Sequence, residues 1–584
     1  MAFPLPRLQA LFPNRSTSIT SQVVVAPPWY LAIGRPDQLS EDVTWRDDHI
    51  AIAHAQPALS PQERFVVVGD VWLSNRAQLL QRLGARHTVP LQSTDSQIVA
   101  QLWERWGGES LSLLEGMFAL VIWDRERQEL WLIRDRTGSR TLYYTTSSST
   151  RWVAPRLRTL TPYRSSDLDL VALRDYLCCA FVPGKQTLWQ GVRELRPGTS
   201  LRLPDETVQV YWQPVEDIRN GEQPLEWHGE QVRSLLEQVV QEYLPSNEPV
   251  GVFLSGGIDS SCITALATKL HNHPVHTYSI HFGQEYPNEL EFSNLVAQHC
   301  QTQHHILEIT PTTIWEQLPL AMAHLDDPIG EGLTVPNLLV GQLAKESVNV
   351  VLNGEGGDPC FGGPKNQPML LNHLYSSVAN QESADLLSAY LTSFKKCFLD
   401  LSRLLQPDVW RAVQAEPSVF EADLKAFDTQ YLNRLMLLNI KFKGADYILT
   451  KVNNFTQTAD LQGRSPLFDQ RIVELSLQIP PQYKLSGSEE KAVLKQAVAD
   501  LLPEVILKRP KSGMMMHMHQ WFHTIWRRQA RSLLLNKKAA IAPYLNQALI
   551  REWLDYRGQV WHRYGVLLWL LVSLEIWLQV NQQE

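Results

Sequence analysis

The chain has 584 residues, 44% apolar and 20% charged, and its 53 basic and 61 acidic side chains leave a formal net charge of −8. That length exceeds what one hydrophobic core organises, so two or three units are expected, and the ordinary composition excludes a largely disordered chain. The acidic balance gives the surface no general pull on nucleic acid or anionic lipid, so any phosphate binding has to be local.

The opening stretch MAFPLPRLQALFP carries prolines where a signal peptide needs an unbroken apolar run. Four segments then read as strands from their β-branched and aromatic content: 64–73, 116–124, 129–135 and 141–145. One helix, 96–107, sits among them, and the whole suggests a layered β-rich domain. The polar stretch from Trp212 to Trp227, with Pro214, Gly221 and Pro224, suits a linker. A helix over 229–244 follows. Apolar strands at 250–254, 275–280, 304–309 and 348–352 then alternate with helices near 288–299 and 312–323, the pattern of a parallel sheet covered on both faces. Beyond residue 365 the chain is expected to be mainly helical.

The apolar run Val566–Leu574 ends at Glu575, far short of the roughly 20 residues that span a bilayer. It reads as a buried terminal helix, and no membrane segment is expected. The six cysteines have no C-x-x-C spacing and form no disulfide framework, which points to a reducing, cytoplasmic location.

The strongest local signal is VFLSGGIDSS, Val252 to Ser261, a strand running through two glycines into a helix. That geometry aims backbone N–H groups and the positive helix end at an anion. Gly256 and Gly257 let the backbone approach phosphate oxygens, and Ser255, Ser260 and Ser261 add hydroxyls. No lysine follows as in a Walker A loop, and there is no G-x-G-x-x-G. SGGxDS instead resembles the pyrophosphate loop of enzymes that cleave ATP between its α- and β-phosphates. Asp259 inside an anion cradle calls for a cation, and Mg²⁺ takes carboxylates together with phosphate oxygens. A second strand runs into NGEGGD with Glu355 and Asp358. Ligands bind beyond the carboxyl ends of strands in an open parallel sheet, so Asp259 and Asp358 are expected around one metal–phosphate group, with Glu355 spare for proton transfer.

Collinear pieces extend this pattern: GDVWLSN (69–75), GMFALVIWD, IRDRTGSRTLYY (133–144), HTYSI, NGEGGD, GRSPLFD (463–469), EEKAVLKQAV (489–498) and LKRPKSG (507–513). With them the chain resembles the asparagine synthetase family, whose relatives include β-lactam synthetase and lasso-peptide cyclases. The resemblance implies an α/β and α+β two-domain fold. Residues 1–212 would be a class II glutaminase-like (Ntn-type) β-rich sandwich. Residues 213–584 would be an ATP-pyrophosphatase domain, with a parallel α/β sheet and a helical C-terminal part. The implied chemistry is adenylation of a carboxylate followed by amide formation, with ATP as substrate and Mg²⁺ as cofactor. Carried over by position, Leu254, Ile280, Asn353 and Gly354 match contacts to the ATP base and ribose, and Asp259 and Asp358 match magnesium ligands. Lys511 matches the lysine that neutralises charge on the reacting groups, and Glu355 the candidate general base.

The chain departs from the family at the front. Residue 2 is Ala2 rather than the nucleophilic cysteine, and Val68-Gly69-Asp70 stands where the family has Asn-Gly-Glu. Asp95 still aligns with the acid that grips the glutamine amine, as a remnant of the glutamine site. The expectation is a front domain without glutaminase activity and a ligase using ammonia, ammonia from a partner enzyme, or an amine on a small-molecule or peptide carboxylate substrate. The alternatives are asparagine formation from aspartate and a non-catalytic ATP-binding paralogue. No nucleic acid or membrane partner is expected; a homodimer stays open.

Overall fold

The computed structural model describes residues 28–39, 42–84, 93–363, 369–370, 386–426, 428–486, 489–509, 516–556 and 564–582. Its front half is a sandwich of two antiparallel six-stranded sheets. The first contains β1 (Tyr30–Ile33), β2 (Val43–Arg46) and β3 (Ile50–Ala53). The second begins with β4 (Ala58–Leu59), β5 (Phe65–Leu73), β6 (Gly116–Asp124) and β7 (Glu129–Arg134). The chain returns to the first sheet with β8 (Tyr143–Ser147), β9 (Thr150–Ala154) and β10 (Arg193–Glu194), then to the second with β11 (Thr199–Leu203) and β12 (Thr207–Val210).

Period-two alternation sorts β5 and β6 between two cores. Val66, Val68, Ala119, Val121 and Trp123 face the first sheet, together with Leu31, Ile50 and Ile52. Val67, Phe118, Leu120 and Ile122 face the other way, onto Ile98, Val99, Leu102 and Trp103 of the helix Asp95–Trp106. Thr94 and Gln97 close a capping box at that helix's start. Two further front helices, Arg76–Leu83 and Leu170–Cys179, escaped the sequence reading, as did eight of the twelve front strands, which are short or lack a clean apolar alternation. The expected strand 141–145 starts two residues later.

An irregular stretch leads to the helix Leu225–Tyr243, which begins inside the expected linker. A five-stranded sheet follows: β13 (Val250–Phe253), β14 (Val275–His281), β15 (Gln303–Glu308), β16 (Val350–Leu352) and β17 (Gln462–Arg464). Its order is β15-β14-β13-β16-β17, and each neighbouring pair is parallel. One face packs on Val232, Leu236 and Val240 of the leading helix, the other on Val340 and Ala344 of the helix Thr334–Lys345. β17 reaches into the GRSPLFD tract, in a region expected to be mainly helical.

The first sheet's outer face and the C-terminal helices share one core: Ala32, Ala51 and Trp152 belong to the same buried cluster as Trp526, Trp569 and Trp577. Tyr176 seals it by donating to the Leu570 carbonyl at 3.0 Å. The terminal helix is longer than its most apolar run, Tyr564–Asn581. It is long and apolar enough by composition to cross a membrane, but 78% of it is buried inside the fold.

Candidate active site

β13 lies between β14, reached through the helix Ile258–Leu270, and β16, which joins on its other side. The connections from these two strands diverge, leaving a crevice where their carboxyl ends meet, the position at which open α/β sheets bind ligands. The register Val252↔Leu352 brings the SGG and NGEGG loops side by side.

The first loop is pre-shaped by its own hydroxyls. Ser255 and Ser260 meet Oγ to Oγ at 3.1 Å, the Ser255 N–H donates to Ser260 Oγ at 3.2 Å, and Ser260 Oγ donates to the Gly257 carbonyl at 3.2 Å. Gly256 holds φ +79°, a left-handed conformation that disfavours side chains. Leu254 is buried and donates its N–H to the Tyr278 carbonyl at 2.9 Å, tying the strand exit to β14, which carries Ile280.

Glycines let the loops touch. A Cβ on Gly354 would come within 2.5 Å of the Ser260 nitrogen, and one on Gly357 within 2.1 Å of Asp259 Oδ1. Asn353 is buried and shapes the second loop: its Nδ2 donates to the Arg464 carbonyl at 3.1 Å, and its Oδ1 accepts from the Glu355 N–H at 3.0 Å.

The predicted metal ligands converge. Lys491 Nζ donates to Asp259 Oδ1 and Oδ2 at 2.7 and 2.5 Å and pairs with Asp358 Oδ1 at 2.6 Å. Its side chain is 1% exposed, and its backbone is left-handed at φ 55°, ψ 36°. An ammonium thus bridges the two carboxylates, and a donor pair that can share one cation fits Mg²⁺, which completes its shell with phosphate oxygens and water. Lys491 lies in the EEKAVLKQAV tract, whose resemblance to the family is the one sequence signal that points to it.

Glu355 follows Asn353 at the crevice's rim. Burial pushes its carboxyl above the ordinary carboxylate value; Lys451 and Lys443 oppose that rise, and Glu331 and Asp358 reinforce it. Lys443 lies in an eleven-residue π-helical stretch, Asn439–Leu449, flanked by the helices Tyr431–Leu438 and Thr450–Thr458. Asn439, Lys443 and Tyr447, each four residues apart, line one hollow beside Asp358. π-turns recur at functional sites. Nothing in this segment's sequence separates π from α, so the feature was missed.

Lys511 lies outside the described residues, as does Ala2. Nearby Arg509 is described: it donates to the Gly256 carbonyl at 3.1 Å, pairs with Glu289, and covers the Phe292 ring at 3.8 Å. Cys360 and Cys262 are fully buried and their thiols are pushed up to about 12, so neither is a nucleophile at neutral pH.

Asp95 sits in the front half, where it accepts the Leu73 N–H at 2.8 Å and pairs with Arg76. Asp70 pairs with Arg140 at 2.9 Å and accepts from Gln457 of the back half at 2.7 Å. Asp95 and Asp70, at the positions expected to line a glutamine site, are thus engaged by the protein's own groups.

The asparagine synthase family profile matches residues 231–579, more than half of the chain, and a glutamine amidotransferase domain matches residues 48–212. The chain belongs to the asparagine synthase family. It is similar to asparagine synthetase [glutamine-hydrolyzing] 1 of Bacillus subtilis, 24% identical over 90% of this chain and 87% of that protein. A putative asparagine synthetase [glutamine-hydrolyzing] of Mycobacterium bovis is 27% identical over 81% and 78%. Among solved structures, a glutamine phosphoribosylpyrophosphate amidotransferase from B. subtilis covers 50% of this chain and 86% of its own at 12% identity, with a TM-score of 0.24. The family is one of ATP-dependent amide ligases, and the two-domain fold, a class II glutaminase-like sandwich before a parallel-sheet domain, is the one expected from the sequence.

Proposed function

We propose that this family member is a carbon–nitrogen ligase that adenylates a carboxylate and joins it to an amine carried by a substrate, with a front domain that no longer hydrolyses glutamine. The observation that carries the reading is the convergence of Asp259 and Asp358 on one cation in the β13–β16 crevice. Ser255, Gly256, Gly257 and Ser260 cradle the phosphates, and Leu254, Ile280, Asn353 and Gly354 form the base and ribose side. Asp259 and Asp358 hold Mg²⁺, which when bound neutralises phosphate charge. Lys491 and Lys511 supply fixed positive charge where negative charge develops. We also take the two halves to divide at 212/213.

A substrate carboxylate oxygen attacks the α-phosphorus, the bond to the β-phosphate oxygen breaks, and pyrophosphate leaves. The amine nitrogen then attacks the acyl carbonyl, passes its proton to Glu355, and AMP departs as the amide forms. A carboxylate whose pKa is raised by burial is a stronger base than an exposed one. The reading of the front domain is supported by Arg76 and Arg140 pairing with Asp95 and Asp70.

Magnesium-dependent exchange of labelled pyrophosphate into ATP, stimulated by an acid substrate, is the expected result, with no glutamate released from glutamine. ATP binding without exchange would mark a non-catalytic paralogue, and glutamate release would overturn the account of the front domain. Asparagine formation, the activity named for the curated relatives, is separated by supplying aspartate and ammonia.

A further inference from the structure

π-Helical turns are rare and ordinarily occur singly within an α-helix. A stretch as long as Asn439–Leu449 therefore calls for support from outside itself, and the front half supplies it. Arg196, between β10 and β11, crosses the seam with its whole fork. One guanidinium nitrogen donates to Asp446 Oδ1 at 2.6 Å and to the Gly184 carbonyl at 2.8 Å, and the other donates to the Lys441 carbonyl at 2.6 Å. The Asp446 carboxylate is fully buried, and its second oxygen accepts the Gly184 N–H at 2.8 Å. The same guanidinium lies 5.5 Å over the Phe442 ring, and Phe181 stacks on Tyr447 at 5.6 Å. Lys441, Phe442, Asp446 and Tyr447 are thus all gripped from the front half.

The far side of the stretch bears on Glu355. The Tyr447 hydroxyl accepts from Lys451 Nζ at 3.2 Å, and that ammonium lies 4.6 Å over the Tyr447 ring and 3.6 Å from Glu331. Lys443, from within the stretch, lines the hollow with Glu331 and Asp358. Lys451, Glu331, Lys443 and Asp358 are the charged groups that act on Glu355; the two lysines favour its ionised form and the two acids oppose it. Relaxing the stretch to an α-helix would change the direction in which Lys443 and Tyr447 leave the axis, and Tyr447 is the contact that steadies Lys451.

Resting on the ligase reading above, in which Glu355 takes the amine's proton, we propose that Arg196 is a positioning residue: with Phe181 it holds the stretch in its π form, so that Lys443 and Lys451 are presented to Glu355. The front domain thereby takes part in the amide step without touching its substrates.

The test uses Arg196→Lys, which keeps a cation for Asp446 but has no fork to span to the Lys441 carbonyl. In the full chain, hydrogen exchange of the 439–449 amides is expected to quicken about tenfold over the parent while β13 and β14 are unchanged. A water-soluble carbodiimide reacts with protonated carboxyls, and peptide mass spectrometry gives the pH midpoint of its labelling of Glu355. With the lysines displaced, that midpoint is expected to rise by about half a pH unit; an arginine with a merely structural role would leave it in place. Lys443→Met should raise the same midpoint without quickening exchange. Phe181→Leu should produce both effects with Arg196 intact, and it carries the comparison where the lysine variant does not fold. Unchanged exchange in Arg196→Lys and Phe181→Leu, or a Glu355 midpoint that ignores all three substitutions, would overturn this inference. Neither readout needs turnover, so a blank pyrophosphate exchange overturns the ligase reading, whereas the link from Arg196 to Glu355 stands or falls on these two measurements.

Discussion

Replacing Lys491 by Met keeps most of the side chain's volume and deletes the charge that holds Asp259 and Asp358 together. Three contacts of 2.5–2.7 Å disappear, and two carboxylates are left facing each other. Removing one partner from a buried ion cluster costs about 3–5 kcal/mol. Asp358 is 34% exposed and regains part of its hydration, so the lower end, about 3 kcal/mol, is expected for Lys491→Met. The vacated position then suits a divalent cation, and binding at about a hundred times its Kd returns about 2.7 kcal/mol. Urea unfolding followed by tryptophan fluorescence, without ATP and with or without Mg²⁺, reads both effects. The variant should unfold earlier than the parent in EDTA and recover most of the difference in saturating Mg²⁺, whereas the parent responds weakly. Coincident curves in EDTA, or equal Mg²⁺ responses, would refute the shared-cation geometry and with it the phosphate site built on it.

Glu355→Gln should preserve pyrophosphate exchange and lower amide formation by about 10²–10⁴-fold. In the parent, the amide step needs ionised Glu355 and declines as pH falls through a pKa lying above the usual 4.5; the variant should lack that acid limb in single-turnover pH profiles. Gly357→Ala places a Cβ 2.1 Å from Asp259 Oδ1 and forces that carboxylate away from its partners; a stability cost of about 1–3 kcal/mol is expected, with exchange activity falling more steeply with decreasing Mg²⁺ than in the parent. Lys484 is fully buried with its Nζ 2.7 Å from Asn433 Oδ1, and burial lowers its pKa to about 7. The unfolded chain therefore binds the extra proton between about pH 7 and 10.5, and stability rises with pH across that window. Lys484→Met should flatten that rise by up to a few kcal/mol, since each tenfold change in proton affinity is worth about 1.4 kcal/mol; the difference between the two proteins' pH–stability curves measures it.

Four of the five parallel strands were legible because β13 and β16 are apolar runs and helices or glycines punctuate the segment, whereas β17, only Gln462–Arg464, carries no such pattern. Positions 250–253 and 275–281 therefore fall where the pattern puts them. The front sheets were half-legible: β5, β6 and β7 announce themselves, while β2 alternates part-buried with exposed residues and β10 has only two. The shape of the SGG loop was readable because glycine and serine at fixed offsets have a mechanical meaning. The lysine clamp was not, since 232 residues separate Lys491 from Asp259 and local pattern carries no information about which distant ammonium a carboxylate will meet. The packing of Phe181, Tyr390, Phe394 and Tyr447 across the halves was hidden for the same reason.

The common core joining Ala32 and Trp152 to Trp569 and Trp577 bears on how such a chain can change over time. Once a catalytic module's outer surface has become another module's lining, losing the first reaction does not make its residues expendable. Excising the sandwich would strip tryptophans of the terminal helices bare, so pruning is blocked even after the original chemistry lapses. Under the proposed loss of glutamine hydrolysis, drift is free at the front domain's catalytic positions and arrested along the seam, and the domain persists as masonry.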